Sequence, residues 1–203
     1  MESLRYVALG DSYTIGTSVG EPDRWPNQLV GRLAGTVPLE VVANLGVNGY
    51  TSGDLIDDEL PQLDALHLDF VTVLIGVNDV VQRVPESTYR TNVAFILDTL
   101  LSIVAAGRIV VVSTPDYTLT PHGADFGNPV AQRAQLTLFN TIMSEAAAHR
   151  AVPFVDIGPI ADQAAIDRSL VARDGLHPSR VQYSRWVDLI APVVIATLGS
   201  SPL

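Results

Sequence analysis

The sequence predicts an α/β fold in which a five-stranded parallel sheet lies between two layers of helices. Short apolar runs alternate with helix-like stretches from one end of the chain to the other, as repeated βαβ units require. The central run, Phe70-Val71-Thr72-Val73-Leu74-Ile75, is apolar almost throughout, as a parallel strand covered on both faces must be. The residues able to do chemistry fall just after the apolar runs, where open parallel sheets gather their function. A length of 203 residues, with no repeat, low-complexity tract or linker-like charge shift, fits one domain over residues 1–203.

The elements follow in order. Tyr6-Val7-Ala8-Leu9 is the first strand, closed by Gly10. A helix over 26–34 has Pro26 in its first turn, Leu29, Val30 and Leu33 on one face, and Gly35 as its stop. Leu39 to Asn44 is the second strand. Leu55, Ile56, Leu60, Leu63 and Leu66 stand at near-helical spacing, interrupted by Pro61. Strand three is followed by the clearest helix, 86–106, with Tyr89, Val93, Ile96, Leu97 and Leu100 on its apolar side. Ile109 to Val112 is strand four, 130–150 a helix, and Val152 to Val155 strand five. Ser179 caps a last helix reaching about Leu198, which Pro192 is expected to kink. The strand-end loops are then 10–25, 44–54, 76–85, 113–129 and 156–179. The fourth shows no structure of its own and is long enough to suggest a function.

Composition removes several chemistries. The chain has no Cys, which excludes thiolate nucleophiles, disulfides and Cys-ligated metals. All 12 basic residues are Arg, so Schiff-base chemistry, a Lys base and a phosphate-loop Lys are excluded too. Imidazole chemistry must use His67, His122, His149 or His177. A formal net charge of −10 disfavours nucleic acid and anionic membranes as partners. No apolar stretch is long enough to span a bilayer. Met1-Glu2-Ser3-Leu4-Arg5 lacks the pattern of a secretory leader, which predicts a cytoplasmic protein.

Four loops carry candidates. After strand one stands Gly10-Asp11-Ser12, either a capping turn or a nucleophilic Ser at a strand-to-helix junction. After strand two, Asn44-Leu45-Gly46-Val47-Asn48-Gly49 is a turn in which Gly49 lets its N–H approach a substrate closely. After strand three, the Asn78 amide in Gly76-Val77-Asn78-Asp79 is a neutral donor suited to an oxyanion; Asn and Asp there could equally cap the next helix. In Asp174-Gly175-Leu176-His177-Pro178, the Asp174 carboxylate can accept the Nδ1–H of His177 and leave Nε2 as a base. A carboxylate in that role needs neither burial nor a second partner. Ser12 and His177 are 165 residues apart, and only a parallel sheet would bring their loops to one edge.

In this order the four blocks resemble the motifs of the SGNH, or GDSL-type, hydrolase family, and they span nearly the whole chain. The resemblance implies a flavodoxin-like three-layer α/β/α fold and ester hydrolysis through an acyl-enzyme. It implies Ser12 as nucleophile, His177 as base and Asp174 as its orienting acid. The oxyanion hole would be the Ser12 N–H, the Gly49 N–H and the Asn78 amide. Thr14 stands where the family's first block has Ser, and Asn48 where its second often does. The substrate expected is a small ester, with carbohydrate acetates, thioesters and lysophospholipid-like esters all open, and no metal or cofactor is needed. Tyr117, His122 and Phe126 in the long fourth loop are candidates for substrate contact. His67 and His149 are expected at the surface. Two other readings compete: a non-catalytic binding protein on the same fold, and a metal-assisted phosphohydrolase using Asp11, Asp79, Asp116, Asp156 and Asp174. The second lacks the paired acids after strand one and the phosphate-binding Lys that such sites use.

Overall fold

A computed structural model of the chain describes residues 3–199. Its strands are β1 Leu4–Gly10, β2 Leu39–Asn44, β3 Phe70–Leu74, β4 Ile109–Val112 and β5 Phe154–Val155. All pair in parallel, in the order β2-β1-β3-β4-β5. The central strands are β-branched and aliphatic because both of their faces are covered: every residue of β3 and β4 is buried.

The helices are α1 Ser12–Ile15, α2 Trp25–Leu33, α3 Ser52–Asp54, α4 Leu63–Leu66, α5 Val77–Val81, α6 Glu86–Ile103, α7 Pro129–His149, α8 Gly158–Ala161 and α9 Arg180–Leu198. On one side of the sheet α2 packs against α9; on the other α6 packs against α7 and α3. The outcome is the three-layer α/β/α sandwich that the sequence predicts. A single cluster draws core residues from all five strands and both helical layers, among them Tyr6, Phe70, Val111, Leu29, Trp186, Ile96 and Phe139. Among the described residues no helix is long and apolar enough to cross a membrane.

Boundaries differ from expectation where tertiary contacts override local pattern. Strand β1 is longer than its apolar run, because the backbone of Leu4 and Arg5 still finds partners on β2. Strand β5 shrinks to two residues, since only Phe154 and Val155 lie alongside β4. The 55–66 stretch is no continuous helix. It runs as a π-helical turn, Leu55–Glu59, then a 3₁₀ turn, Leu60–Gln62, around Pro61, and then α4. The fourth loop is built from two 3₁₀ turns, Tyr117–Leu119 and Gly123–Phe126, rather than being structureless. Pro192 lies inside α9, which passes through it undivided, held to the core by Trp186, Ile190 and Val194.

The turn after β1 decides where the first motif points. Gly10 has φ +145°, outside the range of residues with a Cβ, and a Cβ there would lie 2.1 Å from the Leu74 carbonyl oxygen of β3. Gly31, exposed on α2, has open space around it. Gly10→Ala is therefore expected to lower unfolding stability by about 2 kcal/mol or more. Gly31→Ala should raise it by about 0.4–1 kcal/mol through helix propensity and a less free unfolded chain. Urea midpoints of the two variants check this; a Gly10→Ala protein as stable as wild type would remove the steric argument for the turn.

Candidate active site

Backbone geometry sets Ser12. Asp11 is the N-cap of α1, its Oδ1 accepting the Tyr13 N–H at 2.9 Å, so Ser12 opens the helix. Ser12 is not in a loose surface loop, as its place after a strand suggests: it is 8% exposed. Beside it, Ser12, Gly49, Asn78 and His177 line one cavity of about 220 Å³. Its walls are Tyr13, Val77, Val81, Leu176, Tyr117 and Phe126. All five strand-end loops thus meet at one place.

Each donor has a local reason for its position. Gly49 holds φ +84°, a left-handed turn residue, and its carbonyl accepts from Gln82 Nε2 at 2.9 Å. The N–H groups of Ser12 and Gly49 donate to no acceptor among the described residues. Asn78 spends one amide hydrogen on the Tyr50 carbonyl (2.9 Å), which orients it and leaves the second hydrogen free. Its neighbour Asp79 is buried and grips the second loop, accepting from Ser52 N–H at 2.8 Å and Ser52 Oγ–H at 2.5 Å. Asp79 is thus a strut between loops rather than a helix cap.

The loop carrying Asp174 and His177 is more strongly held than expected. Asp174 Oδ2 accepts from His177 Nδ1 at 2.6 Å. The same oxygen accepts the Ser18 hydroxyl at 2.6 Å, and Oδ1 accepts the N–H groups of Leu176 and His177 at 3.0 Å. Partial burial would raise the carboxyl's pKa. The hydrogen bonds from Ser18, Leu176 and His177 outweigh it and hold Asp174 well below the usual carboxylate range. Tyr13 packs its ring on the imidazole at 5.3 Å. The Ser12 hydroxyl makes no hydrogen bond among the described residues. Hydrogen bonds of this kind commonly tighten only with substrate bound.

Tyr117 and Phe126 line the cavity, with their rings edge to face at 5.7 Å. His122 does not line it. Its ring lies against Gly175, and its Nδ1 pairs with Asp125 at 2.8 Å, so it buttresses the back of the loop carrying Asp174 and His177. Tyr13, Val77, Val81 and Leu176 were not singled out from sequence; their apolar character marks them only as core. His149 closes α7 and His67 ends α4 in a left-handed turn, both away from the cavity. The two motif departures have local uses. Thr14 donates to the Leu9 carbonyl at 3.3 Å, and Asn48 accepts from the Thr17 hydroxyl. The remaining acids are scattered: Asp116 faces Arg133, and Asp156 accepts from Ser113 and from the Gly158 N–H. Among the described residues no group of three or more His, Cys, Asp or Glu is spaced to hold a metal ion.

Beneath Ser12 the sequence hides a feature it does not signal. Glu59, at the end of the π-helical turn, is 1% exposed and accepts the Gly10 N–H at 2.9 Å. Burial, partly offset by that hydrogen bond and reinforced by the Asp11 charge, pushes its carboxyl up to about 9. Asp11, fully buried, is pushed up to about 7, chiefly by burial, against the Tyr13 N–H and with the Asp79 charge.

Comparison with known proteins places this arrangement among relatives. A family model described as the GDSL-like lipase/acylhydrolase family matches residues 8–185. No curated protein matches the chain in sequence. Among solved structures, an acetylxylan esterase from Geobacillus stearothermophilus is similar at 20% identity and TM-score 0.71, covering 98% of this chain and 95% of that one. The lipase/acylhydrolase from Enterococcus faecalis is similar at 20% identity and TM-score 0.74, covering 95% and 96%. Both likenesses show the fold.

The Glu59 carboxyl has a consequence for stability. It ionises near 4.5 when unfolded and near 9 when folded, so between those values the folded state binds more protons. Stability therefore falls as pH rises across that window. Glu59→Gln keeps an acceptor for the Gly10 N–H and removes the titration. Denaturant midpoints from pH 8 to 9, above the folded pKa of Asp11, should decline less in Glu59→Gln than in wild type. Parallel declines would contradict the buried, protonated carboxyl.

Proposed function

Because the chain belongs to the GDSL-like lipase/acylhydrolase family and is a carboxylic ester hydrolase, we propose that it cleaves small, short-chain carboxylic esters through an acyl-enzyme on Ser12. The observation that carries this reading is the convergence of Ser12, Gly49, Asn78 and the Asp174-bound His177 on one cavity. In the proposed reaction His177 Nε2 takes the hydroxyl proton as Ser12 Oγ bonds to the ester carbonyl carbon. In this reading the oxygen that becomes negative accepts from the Ser12 N–H, the Gly49 N–H and the free hydrogen of the Asn78 amide. Collapse breaks the bond to the alcohol, which leaves with the proton from His177. Water then attacks the acyl carbonyl, giving its proton to His177, and release of the acid restores Ser12. Asp174 orients the ring and stabilises the imidazolium.

The cavity volume favours small acyl groups. At about 220 Å³ it lies below the range of sites for drug-sized ligands. In this reading the cavity, whose lining includes Val77, Val81 and Phe126, takes an acetyl or similarly short acyl group. Acetyl esters of carbohydrates belong to this class, and a solved structure of like fold is named for acting on acetylxylan.

Two outcomes test the reading. Ser12→Ala should abolish p-nitrophenyl acetate hydrolysis and labelling by a fluorophosphonate probe, while Asn78→Ala should lower kcat by roughly 10²–10³ with little change in KM. Wild-type turnover in Ser12→Ala would leave a non-catalytic or differently catalysed site. Across p-nitrophenyl esters from two to twelve carbons, kcat/KM should be highest at the short end. A maximum beyond about ten carbons would contradict the size argument.

A further inference from the structure

We propose that Ser18 is a positioning residue that fixes the Asp174 carboxylate and tunes its hold on His177. The inference rests on the assignment of Ser12, Asp174 and His177 above. Ser18 lies six residues beyond Ser12 in the same strand-end loop, 156 residues from Asp174. Its hydroxyl meets Asp174 Oδ2 at 2.6 Å, on the oxygen that also accepts His177 Nδ1. Its backbone sits at φ +71°, a left-handed conformation that residues with a Cβ rarely adopt. Strain of this sort persists where surrounding contacts over-determine it, and the contact made here is with Asp174.

The geometry gives Ser18 two effects. With Oδ1 held by two backbone N–H groups, a donor on Oδ2 fixes the carboxylate plane, so that the His177 ring can turn only within a narrow arc. A hydroxyl on Oδ2 also withdraws negative charge from the oxygen facing Nδ1, which weakens the attraction for the imidazolium. The other titratable groups that feel Asp174 are the phenols of Tyr13 on α1 and Tyr183 on α9, the latter also near Arg24. Burial first, and neighbouring acids second, keep both phenols protonated well beyond the working range, so neither confuses the profile.

The test is a rate–pH series on short-chain esters with wild type, Ser12→Ala, Ser18→Ala, Ser18→Gly and Ser18→Thr, each checked for folding by circular dichroism. Ser18→Ala removes the hydroxyl and keeps the strained backbone; Ser18→Gly removes the hydroxyl and relieves it. Both should lose roughly two- to tenfold in kcat with KM little changed, the worth of one hydrogen bond. Both should also move the acidic limb of the profile upward by a few tenths of a pH unit, because an unshielded Asp174 holds the imidazolium more firmly. Ser18→Thr, which keeps a hydroxyl but puts a β-branched side chain on a left-handed backbone, should retain the wild-type limb even where kcat falls. A Ser18→Gly profile that superimposes on wild type, or an equal limb in all three Ser18 variants and wild type, overturns the role of Ser18 while Ser12→Ala remains dead. Full activity in Ser12→Ala overturns the nucleophile, and with it the reading on which the role of Ser18 rests.

Discussion

The sheet reverses its direction of winding between β1 and β3, and the site depends on that reversal. The chain leaves β1 toward β2 on one side and returns past β1 to β3 on the other. The loops after β1 and β3 therefore lead to helices on opposite faces and part from each other, opening a crevice at the carboxyl end of the sheet. Ser12 and Asn78 stand on the two lips of that crevice, Gly49 comes in from β2, and His177 closes it from the last loop. An arrangement with β1 at an edge would leave these four loops nothing to converge on.

A crevice alone would leave the loops loose, and the structure ties them to one another by polar side chains. Asp79 and Asn78 hold the loop after β2 from the loop after β3. The Asn44 amide donates to the Thr14 carbonyl, and Ser18 reaches Asp174. Buried acids in such a place are costly unless they keep a proton or find donors. Glu59 and Asp11 keep theirs toward neutral or higher pH, while Asp79 and Asp174 find donors, although burial raises the Asp79 pKa despite them. The environment thus separates one exposed-side carboxylate that stays charged beside an imidazole from buried carboxyls that serve as hydrogen-bonding struts. That division of labour among chemically similar residues is set chiefly by burial and donor count, with neighbouring acids reinforcing it.

Much was legible in the chain itself, and the reason is local. Strands such as 70–74 and 109–112 are written as apolar runs because both faces of a parallel sheet are covered, and a helix start such as Ser179 is marked by its capping side chain. Gly10 and Gly49 announce backbone turns that other residues resist. The motif residues could be named as candidates because their types and order are informative without coordinates. Tertiary structure decided what depends on distant partners. It broke the 55–66 stretch into a π turn that lodges Glu59 under Gly10, cut β5 to the two residues that reach β4, and turned His122 onto Gly175 instead of into the cavity. It also placed an ordinary loop serine, Ser18, on Asp174. None of these leaves a periodic or compositional trace, because each is a meeting of residues tens to more than a hundred positions apart, fixed only when the sheet closes.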